Sequence, residues 1–324
     1  MHILPKPPVD DDSPPPGAPK YKTPQEAARI YFLPNLFTAG NLFFGFVAII
    51  RCIQARYVAA DEMQINNLYT EGVWCILLAA VCDAFDGRLA RMGGRESLFG
   101  KEFDSIADTV SFGVAPALMV FFLILGPVTE KYSELFEEKL GIQIQQIGWL
   151  VGFIYLLCVA VRLARFNVLT NPLVPGVVES PSKDFMGLPS PAAAGFVASL
   201  VLVVLHLNFS NEPSRPSTIL QQSAILQQSA IVLLPLLLLV ALLMVSNIPY
   251  PSFKHIDWKT ETKAQSFILF IIALAVAYRY RQYSIAIFFL YYIFYGLFRY
   301  ARRAWRRKHP IAGDPPEPEE EDAF

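Results

Sequence analysis

Cysteine and histidine are scarce in this chain, four of each among 324 residues. Cys52, Cys75, Cys82 and Cys158 lie in or beside apolar runs without metal-ligand spacing, so neither a disulfide framework nor a zinc site organises the fold. They read as reduced packing residues. His206, His255 and the histidines near the ends, His2 and His309, share no ligand spacing either, and read as surface or interfacial residues. An excess of one charge is also missing. Lys and Arg total 27, Asp and Glu 28, for a formal net charge of −1, and no basic domain stands out. The net charge itself says nothing about nucleic acid, which is not among the expected partners. A secretory signal is not evident at the start. Residues 1–22 are rich in Pro and Asp ("PPVDDDSPPPGAPK") and are expected to be a disordered tail.

Long apolar runs are what the sequence has in abundance. The hydrophobic fraction is 54%, above the roughly 45–50% usual in soluble domains, and it is concentrated in blocks. "TPQEAARIYF" opens with a capping box, Thr23 answered by Glu26, and Pro24 suits the first helical position. Too short and polar to span a bilayer, residues 23–32 are expected to form an amphipathic helix lying on the headgroups. Eight stretches long enough to cross about 30 Å of hydrocarbon follow, near residues 33–54, 72–91, 102–126, 147–168, 191–209, 225–247, 264–279 and 283–300. The expected fold is all-α: a polytopic membrane helix bundle of about eight transmembrane helices, its membrane domain spanning 33–300. Residues 301–324 then form a tail, basic in "RRAWRRK" and acidic in "EPEEEDAF". "ILQQSA", repeated in tandem from Ile219, adds length and no chemistry.

Orientation follows from Lys and Arg. With the N-terminus inside, the inner segments hold Arg88, Arg91, Arg95 and Lys101, then Arg162, Arg165 and Lys183, then Lys254, Lys259 and Lys263, then the C-terminal basic run. The opposite segments hold few, among them Arg56, Lys131, Lys139 and Arg215. The positive-inside rule therefore predicts N-in, C-in topology.

Against this apolar background "DAFDGRLARMGGRESLFGKEFDSIAD" (residues 83–108) is anomalous. An ionised Asp at the centre of a membrane helix costs about 2.5–3.5 kcal/mol on insertion scales, so four of them imply a function. Asp83, Asp86, Gly87 and Ala90 share one helical face, and Gly100, Asp104 and Asp108 share a face of the next helix. A short connection makes these helices antiparallel, which lets the two acidic faces converge near the cytoplasmic ends. Carboxylates at such quarters need cations, and hard oxygen ligands suit two Mg²⁺ or Mn²⁺ ions, which also bind phosphates. Gly87, Ala90 and Gly100 leave room for a ligand against the backbone. Arg88 and Arg91 offer guanidinium groups to phosphate oxygens. The ensemble points to metal-assisted displacement at phosphorus, with a carboxylate as general base.

The pattern D-x-x-D-G-x-x-A-R-x8-G-x-x-x-D-x-x-x-D, met at Asp83, Asp86, Gly87, Ala90, Arg91, Gly100, Asp104 and Asp108, resembles the signature of the CDP-alcohol phosphotransferases, membrane enzymes of phospholipid synthesis. That resemblance implies Asp83, Asp86, Asp104 and Asp108 as metal ligands, with Asp108 also the base. It implies Gly87, Ala90, Arg91 and Gly100 as the CDP- and phosphate-binding set. It further implies a homodimer; the expected location is a bacterial inner (plasma) membrane, where the Lys and Arg asymmetry puts the active site on the cytoplasmic side.

"LPNLFTAGNLFFGF", "RLARFN", "FMGLPSPAAA" and "VSNIPYPSFK" resemble the branch of that family that transfers a phosphatidyl group from CDP-diacylglycerol to L-serine. Thr38 and Asn41, three apart on one face, are candidates for the nucleotide pocket, or for bonds to carbonyls of neighbouring helices. Arg162, Arg165 and Asn167 are candidates for the serine carboxylate and ammonium, or positive-inside anchors. Lys254 is a candidate for substrate phosphate or a stop-transfer lysine. Ser190 reads as a helix cap. The aromatic last helix reads as lipid-facing bulk. Two rivals remain: the same chemistry with glycerol phosphate or inositol phosphate as acceptor, and a divalent-cation transporter using the aspartates. Dianionic acceptors want a denser basic pocket. A transport site belongs nearer the bilayer midplane.

Overall fold

The computed structural model describes residues 32–58, 62–92, 97–124, 144–169, 184–209, 233–251 and 279–308. The expected terminal tail 1–22, nearly all of the surface helix 23–32, the tandem repeat, Lys254 and residues 264–278 of the expected seventh span lie outside these. The described chain is helical apart from one short ribbon. Among the described residues six helices are long and apolar enough to cross a membrane: Phe32–Tyr57, Met63–Leu89, Leu98–Leu123, Ile147–Leu169, Ser190–Leu207 and Arg281–Arg303. Their lengths and apolarity make this an integral membrane protein.

Helix α1 (Phe32–Tyr57) buries Thr38, Asn41, Gly45, Ala48, Cys52 and Ala55. Alternating steps of three and four put these on one stripe, and their small size lets neighbouring backbones come close, as helix contacts in lipid require. Pro34 sits in the first turn, where a missing N–H breaks no helical bond. Against that stripe lies α2 (Glu62–Met92), which buries Tyr69, Val73, Ile76 and Ala79 and carries Asp83 and Asp86 towards its C-terminal end. Phe43 and Phe46 of α1 stay exposed, as befits a lipid-facing side.

The next rod has three parts: α3 (Leu98–Asp108), a π-helical turn (Thr109–Val114) and α4 (Ala115–Ile124). Ser97 caps its start, its Oγ accepting from the Gly100 N–H at 3.0 Å. Pro116 accounts for the π turn. It lacks the N–H that would bond the Phe112 carbonyl one turn back, and its ring crowds that carbonyl. The Ala115 N–H reaches back to Val110 instead, a five-residue step. The displaced Phe112 carbonyl accepts from Tyr155 Oη on α5 (Ile144–Leu169) at 3.0 Å, so no buried acceptor is orphaned.

Strand β1 (Asp184–Met186) leads through Gly187 into α6 (Ser190–Phe209). The φ of +78° at Gly187 is one that L side chains rarely adopt, and a Cβ there would also collide with the Met244 carbonyl. Helix α7 (Leu233–Val245) returns the chain to β2 (Pro249–Pro251), which pairs antiparallel with β1, Phe185 opposite Tyr250. This ribbon is absent from the all-α expectation. Helix α6 is the core element, buried at Ala193, Ala194, Val197, Ala198, Val201 and Leu205.

Helix α8 (Arg281–Lys308) runs antiparallel to α6: Tyr283 meets His206 at one end, and Gly296 meets Tyr250 at the other. It continues through 301–308, so the basic segment expected to open a tail is helical. Nor is α8 wholly lipid-facing, since Tyr292 and Ile293 are buried.

Candidate active site

Three of the four signature aspartates converge. Asp83 from α2 and Asp104 and Asp108 from α3 each present a carboxylate oxygen, and these atoms lie within 4.8 Å of one another. The antiparallel pairing read from the spacing is what brings them together. Asp86 is not part of that triplet. It is buried one turn along α2, where its Oδ2 accepts from Thr38 Oγ1 at 2.9 Å. Thr38 also lies 3.2 Å from the Pro34 carbonyl, but its single proton is better used on the closer, charged acceptor.

Helix α1 holds a second aspartate. Asn41 Nδ2 donates to Asp108 Oδ1 at 3.0 Å, while its backbone carbonyl accepts from Ser111 Oγ at 2.9 Å. Ser111 lies in the π turn, directly after Asp108. The two bonds tie α1 to the end of α3 and to the π turn that follows it. Thr38 and Asn41, candidates for the nucleotide pocket, thus have aspartates as their partners.

The donor set fits a hard divalent cation. Carboxylate oxygens converge from two helices, and Asp104 Oδ1 is buried with no hydrogen-bond partner. An acceptor-only atom left bare in a buried site calls for a positive ligand. Asn41 Oδ1 is likewise buried and unpartnered.

Of the phosphate-binding candidates, Gly100 lies at the cap of α3, and a Cβ there would come within 3.3 Å of Asn35 Oδ1 and Ser97 Oγ. Asn35, unremarked in the sequence, has a buried, unpartnered Nδ2 at the same place. Gly87 is half-buried on α2 beside Asp86. Ala90 and Arg91 belong to the same helix, but their side chains lie outside the described residues.

The acceptor candidates separate. Arg162 on α5 donates from Nη1 to Ser190 Oγ at 2.7 Å, its Nε is buried and unpartnered, and it feels the charges of Asp83 and Asp108. Ser190 therefore meets an arginine at the start of α6, where the Pro189 carbonyl receives the Ala193 N–H. Arg165 is exposed and reaches Asn247 Oδ1 at 3.1 Å and Met186 Sδ at 3.8 Å, tying α5 to the ribbon. Asn167 donates to Ser105 Oγ at 2.8 Å, bracing α5 against α3. Of the described acceptor candidates, Arg162 is the one that interacts with the charges of Asp83 and Asp108.

A family model described as CDP-alcohol phosphatidyltransferase matches residues 31–241. The chain is 31% identical over 271 residues to the CDP-diacylglycerol–serine O-phosphatidyltransferase of Helicobacter pylori, covering 84% of this chain and 92% of that one. It is 33% identical to the protein of the same name from Saccharomyces cerevisiae, over 57% of this chain and 59% of the relative. It is 32% identical to the archaetidylserine synthase of Methanothermobacter thermautotrophicus, over 55% and 61%.

Proposed function

The chain belongs to the CDP-alcohol phosphatidyltransferase family, and from that premise we propose that it transfers the phosphatidyl group of CDP-diacylglycerol to L-serine, forming phosphatidylserine and CMP. The observation that carries the chemistry is the convergence of Asp83, Asp104 and Asp108 around one point. Divalent ions held there, Mg²⁺ or Mn²⁺, would neutralise pyrophosphate charge as it develops. Asp86, oriented by Thr38, is the remaining carboxylate for a second ion. Asp108 takes the proton from the serine hydroxyl. Its Oδ1 is engaged by Asn41, so Oδ2 is the oxygen for that transfer. The serine oxygen then attacks the lipid-bearing phosphorus, the phosphorus–oxygen bond to CMP breaks, and CMP leaves with the electron pair. Gly87, Ala90, Arg91 and Gly100 bind the nucleotide and its phosphates. Arg162 orients the serine carboxylate, and Arg165, Asn167 and Lys254 support that pocket or its charge.

We place the catalytic domain at 33–300, as a homodimer in a bacterial inner membrane with the site facing the cytosol. The Lys and Arg distribution supports N-in, C-in topology. The eight apolar stretches of the sequence support an eight-span count.

Purified protein given CDP-diacylglycerol, Mn²⁺ or Mg²⁺ and radiolabelled serine should release CMP and label lipid, and a chelator should stop both. Labelling from glycerol phosphate or inositol phosphate instead would overturn the acceptor. Absence of CMP release with every alcohol would overturn the enzyme. Asp108→Asn should lower turnover by about 10²–10⁴-fold with nucleotide binding retained; unchanged turnover would remove Asp108 as the base.

A further inference from the structure

Tyr250 is fully buried, yet its hydroxyl has no hydrogen-bond partner among the described residues. An unpaired buried hydroxyl costs on the order of 1–3 kcal/mol, and such groups call for an explanation. Its setting is built rather than incidental. The residue is held in β2 opposite Phe185, and the bonds flanking the ribbon, Gly187 N–H to the Ile248 carbonyl at 3.0 Å and Leu188 N–H to the Leu243 carbonyl at 3.1 Å, fix the strand. Its ring occupies the space left by the missing side chain of Gly296 and lies 5.8 Å from the ring of Tyr292. Tyr292 in turn lies within electrostatic reach of Arg162. Arg162 bonds Ser190 at the mouth of α6, feels Asp83 and Asp108, and keeps its own Nε buried without a partner. Tyr292 thus interacts with both residues that carry an unsatisfied donor, and one of the two, Arg162, interacts with the acidic centre.

We infer that the Tyr250 hydroxyl is a second donor for the carboxylate of the amino-acid acceptor, acting with the Arg162 guanidinium, and that α8 completes this pocket through Tyr292 and Gly296. A carboxylate accepts through both oxygens, so one arginine edge and one phenol can satisfy it together. Burial pushes the Tyr250 phenol up to about 12, so it remains a protonated donor at neutral pH. Nothing is transferred to or from Tyr250. Its part is recognition, and it rests on the serine reading above.

Tyr250→Phe keeps the ring that fills the Gly296 gap and deletes only the donor. The KM for serine should rise about ten- to a hundredfold, the loss expected for one hydrogen bond to a charged group, while the KM for CDP-diacylglycerol stays at the wild-type value. Gly296→Ala, which pushes a methyl into the ring, should raise the serine KM in the same selective way with the hydroxyl still present. An unchanged serine KM in Tyr250→Phe, beside a wild type that labels lipid from serine, overturns this inference alone. Equal rises in both KM values, or a lowered unfolding temperature without a selective effect, make Tyr250 structural and also overturn it. A wild type inactive with serine overturns the functional reading, and the inference with it.

Discussion

A carboxylate that takes a proton from an incoming hydroxyl needs one oxygen held and the other open. Asn41 supplies the hold, donating to Asp108 Oδ1, while Ser111 fixes the Asn41 backbone from the far side. Asn41→Ala removes the donor and frees the Asp108 carboxyl to rotate. Turnover should fall about 10–100-fold, the usual cost of losing a partner that orients a metal-site ligand, with expression and the KM for CDP-diacylglycerol little changed. Steady-state kinetics on the purified variant checks this, and wild-type turnover would show that Asp108 is oriented by other means. At this scale the sequence was informative where geometry is local. Helical spacing alone put Asp83 on one stripe and Asp104 and Asp108 on another. It was silent on contacts across helices, because no spacing within α1 says that Thr38 lies over Asp86 or Asn41 over Asp108. Nor did it single out Tyr250, whose isolation depends on residues distant in the chain.

Elements meet closest where glycine stands, and the two tightest approaches on the π turn differ in kind. A Cβ on Gly45 would fall 2.6 Å from the Cα of Ser111, so α1 and the π turn would have to move apart. On Gly113 it would fall 2.8 Å from Cδ1 of Leu156, the end of a side chain that can change rotamer. Gly45→Ala should therefore destabilise by roughly 1–3 kcal/mol, the range for overpacking, and reduce activity by shifting Asn41 and Ser111. Gly113→Ala should cost less and keep activity. Thermal unfolding in detergent, read beside turnover, separates them; equal effects would mean that the α1 contact is as yielding as a leucine tip. Apolar runs announced the long helices, most with ends shifted by a few residues, while the second, expected from about residue 72, begins at Glu62. The π turn left no such sign: "TVSFGVAPALMVFF" is apolar apart from Thr109 and Ser111, so a one-residue slip changes little in its pattern, and only Pro116 marks it. The ribbon was equally hidden, since each strand is three residues and one holds two prolines.

At the scale of the whole molecule, the direction of α8 links topology to catalysis. Its start lies beside His206 at the far end of α6, and its Gly296 turn lies beside Tyr250, at the end where Arg162 meets Ser190. The last turns, with Arg299, Arg302 and Arg303, must then emerge on the same side of the membrane as the aspartates. Lys and Arg counts lead to the same side by an independent route, since the segments they enrich are those next to Asp83–Asp108 and the C-terminus. The four native cysteines are buried or half-buried, which leaves little background for a thiol probe. In right-side-out vesicles an impermeant maleimide should label Gln282→Cys and spare Trp305→Cys, and in inverted vesicles the pattern should reverse. Labelling of both from one side would mean that α8 lies along the surface, and a reversed pattern would put the aspartates outside. The second outcome matters most for function. On the proposed function the nucleotide and amino acid come from the cytosol, so an outward-facing cluster would be cut off from both, however well its carboxylates converge.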